Sequence, residues 1–213
     1  MADAPVVAVR GEAYREVAPE LARFTVTAVA RDRDRETTLT RLAERAAAVR
    51  ALLDAAEPAV ERRETGQVHV RPVTKRSGDR VVAYQGSVST TVTTTDFTAL
   101  GDLMLRLADQ EQVEVAGPVW SLRPDSPAYR EVRQAAIADA LIRAREYAEA
   151  LGARVIALRE LSDTGMSAGP PMMVKAAYAR SGEPELELEL DPAPQPVQAA
   201  VEARFTISEP VLG

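Results

Sequence analysis

With 213 residues and a formal net charge of −6, the chain has room for one substantial domain or two small ones and lacks the basic excess that non-specific nucleic-acid binding requires. Its residues are 46% hydrophobic and 27% charged, the mix of a folded globular protein, and no run reaches the ~18 apolar residues of a bilayer-spanning helix. There is no cysteine, which excludes disulfides, thiolate nucleophiles and thiolate metal sites together.

The chain begins MADAPVVAVRG, with neither a basic n-region nor an uninterrupted apolar h-region. No signal peptide is therefore predicted, and the cytoplasm is the expected location. Residues 6–14 read as a short strand. Residues 20–31 alternate cleanly, with Ala22, Phe24, Val26, Ala28 and Ala30 on one face and Arg23, Thr25, Thr27 and Arg31 on the other. The charged run Arg31–Glu36 reads as a solvated turn into a helix. From Thr37 to Ala56 the residues Leu39, Leu42, Ala43, Ala46, Val49, Leu53 and Ala56 keep helical spacing, and Pro58 ends the helix.

Two long strands are expected next, at 61–75 and 80–95, joined at Ser77-Gly78-Asp79. Pro72 within the first points to an edge position or a bulge, because proline donates no ladder hydrogen bond. In the second, Val82, Tyr84, Val88 and Val92 share a face opposite Gln85, Ser87, Ser89, Thr91 and Thr93. That polar face reads as an open solvated sheet, with a carbohydrate-type binding face as the alternative. A helix capped by Thr95 or Asp96 runs to about Ala108, with Leu100, Leu103, Met104 and Leu107 inward. A strand at 112–122 leads to the longest helix.

That helix spans Ser126–Gly152, with Ser126 as N-cap, Pro127 at the first helical position and Gly152 just past the last turn. At 100° per residue Ile137, Ala140, Leu141, Ala144, Tyr147, Ala148 and Leu151 form one stripe, from which Val132 and Ile142 fall away. The stripe is expected to cover a sheet. A strand at 154–161 follows, then an irregular stretch at 163–183 rich in glycine and proline. Its Met166, Met172, Met173, Val174 and Tyr178 are adaptable apolar side chains that suit a partner surface, with a plain flexible connection as the alternative on composition. PELELELD at 184–191 alternates as a strand with Leu186, Leu188 and Leu190 on one face. The final strand carries Val197, Ala199, Val201, Ala203, Phe205 and Ile207 on one side.

Hairpins joined by single helices imply an α+β fold, antiparallel sheet with helices on one face. The order also permits two strand–helix–strand–strand units within a single domain of residues 1–213, at 20–95 and 112–208, with 163–196 as a long irregular insertion. Catalytic constellations are sparse. His69 is the only histidine and alternates with Val68 and Val70, so it serves neither a transition-metal site nor a triad with a G-x-S-x-G nucleophile. The carboxylates Glu183, Glu185, Glu187 and Glu189 line one strand face with nothing arranged to close around a cation, and read as edge protection. No phosphate-binding glycine motif is present. No catalytic, cofactor-binding or metal-ligating residue is assigned, and no cofactor is expected.

One resemblance spans nearly the whole chain. Val113–Pro118, the alanines Ala136, Ala140, Ala144 and Ala148, Leu151-Gly152 and Val155–Leu161 resemble the SIMPL-domain family, the YggE-like proteins of unknown function. Val9-x-Gly11, Ala18-Pro19-Glu20, the strand containing Tyr84, the helix Asp96–Leu107 and the closing V-x-A-x-V-x-A-x-F strand support it. The resemblance implies an α+β domain with no established enzymatic activity and members that assemble into ring-like homo-oligomers. It also implies relatives in the periplasm or envelope, from which this chain departs in showing no signal peptide. The expected function is a non-enzymatic binding or scaffold protein that self-associates, with an unidentified protein partner. The alternatives are a hydrolase using arginines and carboxylates on a small anionic substrate, and an envelope stress-related protein.

Overall fold

The computed structural model describes residues 4–75, 80–168 and 188–211. The chain folds as α+β, with a three-stranded and a four-stranded antiparallel sheet and three helices. It divides into two compact units, one built from residues 1–18, 122–170 and 194–213, the other from 19–121 and 171–193.

The first unit holds β1 (Val6–Val17), β6 (Val155–Ala168), β7 (Gln195–Ile207) and α3 (Pro127–Ala150), with strand order β1-β7-β6. The alternation in β7 buries Val197, Ala199, Val201, Ala203, Phe205 and Ile207, as the sequence predicts. Val9 and Gly11 of β1 stand opposite Ala203 and Val201 and share their face. Onto it packs α3 through Ala128, Val132, Ala136, Ala140 and Ala144. A Cβ on Gly11 would lie 2.1 Å from the Ala136 carbonyl oxygen and 2.5 Å from the Ala140 nitrogen, so strand and helix backbones meet with no side chain between them. The Ser126 hydroxyl accepts from the Ala128 amide to open α3, and Gly152 closes it at φ +65, donating to the Glu149 carbonyl.

The face of α3 that is buried differs from the expected stripe. Val132 is fully buried, while Ile137, Tyr147 and Leu151 are 42%, 58% and 40% exposed. The close approach at Gly11 selects the smallest side chains for the contact line, so the alanines spaced by four enter the interface and the larger residues flank it.

The second unit orders its strands β3-β4-β2-β5, from β2 (Leu21–Asp32), β3 (Val60–Thr74), β4 (Val81–Thr94) and β5 (Val113–Ser121). Helices α1 (Arg35–Ala55) and α2 (Phe97–Ala108) lie on one face. The row Ala22, Phe24, Val26, Ala28 and Ala30 is buried as expected, and Phe24 and Val26 meet Val49 and Leu53 of α1 and Leu100, Leu103, Met104 and Leu107 of α2. Trp120 of β5 closes the core, with Phe97 edge-on to it at 4.9 Å between ring centroids. Pro72 sits on edge strand β3, as its missing amide requires. At the bulge where β5 shifts register against Arg23 and Thr25, Gly117 takes φ +123, and a Cβ there would lie 3.0 Å from the Phe24 Cα, a site only glycine fills without strain.

Several boundaries differ from the sequence reading. Helix α1 starts at Arg35, because Asp34 is its N-cap, accepting from the Thr37 amide at 2.7 Å. The expected solvated turn into the helix is confined to Arg33 and Asp34, between the end of β2 at Asp32 and the first turn of α1. Thr38, not Leu39, faces the core, with its hydroxyl donating to the Asp34 carbonyl at 2.8 Å, while Leu39 is exposed. Strand β1 runs to Val17, and β6 runs to Ala168 instead of stopping at Leu161, because β7 offers ladder partners that far, Ala168 opposite Val197. Residues 188–191 are not a strand. Leu190 packs into the second unit's core and the Leu188 carbonyl rests against Gly101 of α2, so these two leucines of the expected strand are placed without a ladder, and residues 184–187 lie outside the described residues. The turn Ser77-Gly78-Asp79 lies outside the described residues. Strand β5 pairs with β2, and β1 with β7, so the units are drawn across the chain order rather than as 20–95 and 112–208.

Candidate functional site

The residues that define the candidate site follow from how much sheet one helix can cover. A helix about 10 Å across covers about two strands at the ~4.8 Å spacing of a sheet. In the first unit α3 packs on β1 and β7, and β6 is the strand left over.

By register Leu158 stands opposite Phe205 and Leu161 opposite Ala203, which places both leucines on the helix-side face of the sheet. They are nevertheless 54% and 44% exposed, and Ile156 beside them is 61% exposed. Ile137 and Leu141, one helical turn apart on the flank of α3, form the opposite wall. Between them lies a groove of about 420 Å³, floored by Ala140, Val155, Ala203 and Phe205. Arg145, one further turn along α3, is the only charged one among the described residues lining it, and its guanidinium forms no hydrogen bond or ion pair with a described residue. The groove is thus an apolar trough with one cation at its edge. It can hold an apolar surface; none of the described side chains lining it is a carboxylate, hydroxyl or imidazole that could move a proton or attack a substrate.

Of the candidate partner-surface residues, Met166 lies in β6 with its backbone opposite Ala199, and Met172, Met173, Val174 and Tyr178 lie outside the described residues. His69 is exposed on β3, its ring Nε2 2.9 Å from the Gln67 side-chain oxygen, which makes it a local surface contact. Among the described residues no group of three or more histidines, aspartates and glutamates comes together to ligate a metal, and no helix is long and apolar enough to cross a membrane. Of the tetrad of glutamates only Glu189 is described, and it is exposed.

The sequence alone does not reveal the groove, because Ile137 and Leu141 are periodic with the alanines and share their expected core stripe. The signal that could have found them is the residue size along α3. Alanine at every fourth position marks a contact too close for isoleucine, so the larger residues must lie beside it.

The fold and this groove define a two-unit α+β protein of antiparallel sheets covered by helices on one face. The chain belongs to the SIMPL family, described as protein of unknown function (DUF541), whose sequence profile matches residues 7–205. No curated protein matches it significantly. Among solved structures it is similar to a hydantoinase/carbamoylase family amidase from Burkholderia ambifaria, at 18% identity over 57% of this chain and 34% of that one, TM-score 0.32. A second amidase of that family, from Burkholderia phymatum, matches at 14% identity over 60% of this chain and 36% of that one, TM-score 0.31. An unknown protein from Galdieria sulphuraria matches at 12% identity over 88% and 84% of the two chains, TM-score 0.25. The chain spans 34% and 36% of the lengths of the two amidases, and at TM-scores this low none of these likenesses bears on its fold or activity.

Proposed function

We propose that this protein is a non-enzymatic binding or scaffold protein that self-associates into a homo-oligomer through the groove between α3 and β6. The observation that supports this is the exposed apolar row Ile156, Leu158 and Leu161 on a strand face that the fold leaves without a helix. Contiguous apolar surface of this kind is a contact site in waiting, since water gains nothing from wetting it and a partner surface gains by covering it. The lining favours holding over cleaving, being apolar apart from Arg145.

Multi-angle light scattering at micromolar concentration tests the reading. The wild-type chain is expected to run as an oligomer, and Leu158→Glu combined with Leu161→Glu to run as a monomer with an almost unchanged thermal midpoint, since both leucines are already half-exposed. A wild-type chain that is monomeric, or an oligomer that survives the double substitution, would sink it.

A further inference from the structure

A second surface, in the other unit, has a different chemistry. Both helices of that unit lie on one face of the four-stranded sheet, and register places a polar set on the opposite face. Thr25 stands opposite Thr91, Thr27 opposite Ser89, and Ser87 opposite His69, all half-buried or exposed. Arginines stand at both ends of these rows, Arg23 with Arg62 across Thr93, and Arg31 with Arg71 across Gln85. The acids of the face are Glu64, opposite Thr91, and Glu114, opposite Thr27. Arg62 is held by Glu64 at 2.8 Å, and Arg71 donates to the Gln85 side chain at 3.5 Å. Arg23 and Arg31 are exposed and form no ion pair or hydrogen bond through their side chains with any described residue. A chain of net charge −6 therefore presents a cationic excess on this face.

We propose that this face binds an extended acidic peptide of another protein. Along a strand, side chains on one face repeat every ~6.7 Å, and an extended peptide with acids at alternate positions presents carboxylates at the same interval. Hydroxyls at Thr25 and Thr27, and at Ser87 and Thr91, supply donors along the strands, Ser89 being engaged with the Gln67 backbone, and Arg23 and Arg31 supply the charge at the ends. Nucleic-acid single strands and sugars are gripped by stacking on aromatic rings, and among the described residues this face offers only the His69 imidazole, already engaged by the Gln67 side chain. Of the other aromatic residues of the sheet, Phe24 and Trp120 are buried in the core beneath the helices, and Tyr84 is half-buried in the row of Gly86 and Val88, on the helix side. The net charge of the whole chain does not oppose a short acidic partner, since at physiological salt charges beyond ~10 Å are screened and the local arginines dominate.

The test is fluorescence anisotropy of the full chain with a labelled peptide of alternating glutamate and serine, against the glutamine–serine peptide and an oligothymidylate. Binding of the acidic peptide is expected at about 20 mM salt and should weaken strongly by about 200 mM. Arg23→Glu combined with Arg31→Glu should weaken it about tenfold or more, while Arg35→Glu with Arg50→Glu, the same change of charge on α1, should leave it within about twofold. Circular dichroism checks that both double variants remain folded. The proposal is overturned by no binding at low salt, by equal weakening in the two double variants, by equal binding of the neutral peptide, or by tighter binding of the oligothymidylate. Light scattering of the same variants separates this surface from the α3–β6 groove, because neither pair of substitutions touches that groove.

Discussion

The two units cover their sheets in different ways. The first sets one helix on three strands and packs it through alanine and glycine; the second sets two helices on four strands and packs them through Phe24, Leu53, Leu100 and Leu107. Alanine brings the helix axis close and makes a dense contact, but it also keeps the helix over β1 and β7 and leaves β6 bare. Larger core residues hold helices farther from the sheet and, with two of them, reach across it. The lesson is that tight packing and complete coverage are separate properties, and surface for a partner arises where the first is met without the second.

The largest expected effect lies in the alanine contact. Ala144→Glu puts a charge at a fully buried position against β1 and β7 and is expected to destabilise the protein by about 4 kcal/mol or more. Ile137→Glu, two turns earlier on the same helix at a position that is 42% exposed, should leave stability nearly unchanged and weaken self-association instead. Chemical denaturation read by far-UV circular dichroism compares them, and similar midpoints for both would mean that the buried face of α3 is misassigned.

A glycine in each unit sharpens the contrast. Gly11→Ala drives a methyl group into the α3 backbone, which cannot yield without shifting the helix, and about 3 kcal/mol is expected to be lost. Gly86→Ala meets the Leu42 side chain at 2.9 Å, a group that can turn aside, so about 1 kcal/mol is expected. Equal losses from urea titrations would remove the distinction between a backbone contact and a side-chain contact.

The smallest effect belongs to the entry of α1. The Thr37 amide donating to Asp34 holds its carboxyl below the usual carboxylate range. A lowered folded pKa means stability present above the unfolded value and lost as pH falls through the folded one. Asp34→Ala should therefore lower the thermal midpoint near neutral pH, and the gap from wild type should narrow as the solution is acidified below the ordinary aspartate range. A gap that stays constant with pH in calorimetric scans would show that the carboxylate charge is not what caps the helix.

Much of this architecture could be read from residue order. Alternation marked the faces of β2 and β7, and Ser126, Pro127 and Gly152 bracketed α3, because these are local signals set by strand and helix periods. The antiparallel α+β class and the SIMPL family followed from the order and spacing of those elements. The groove could not be read in that way. Whether Ile137 and Leu141 lie under a sheet or beside it depends on how near α3 comes to β1, and that distance is decided at Gly11, well over a hundred residues away in the chain.

The amino-acid order determined which residues alternate, where helices begin and end, and which face of each strand is apolar, since these properties depend on neighbours within a few residues. Tertiary structure decided that β1 joins β7 and that β5 joins β2, since antiparallel partners are chosen by matching long-range rows of side chains. It also decided that Leu158 and Leu161, apolar and on the helix side of their sheet, face a groove instead of a core. The physical reason is width: one helix spans about two strands, and this sheet has a third.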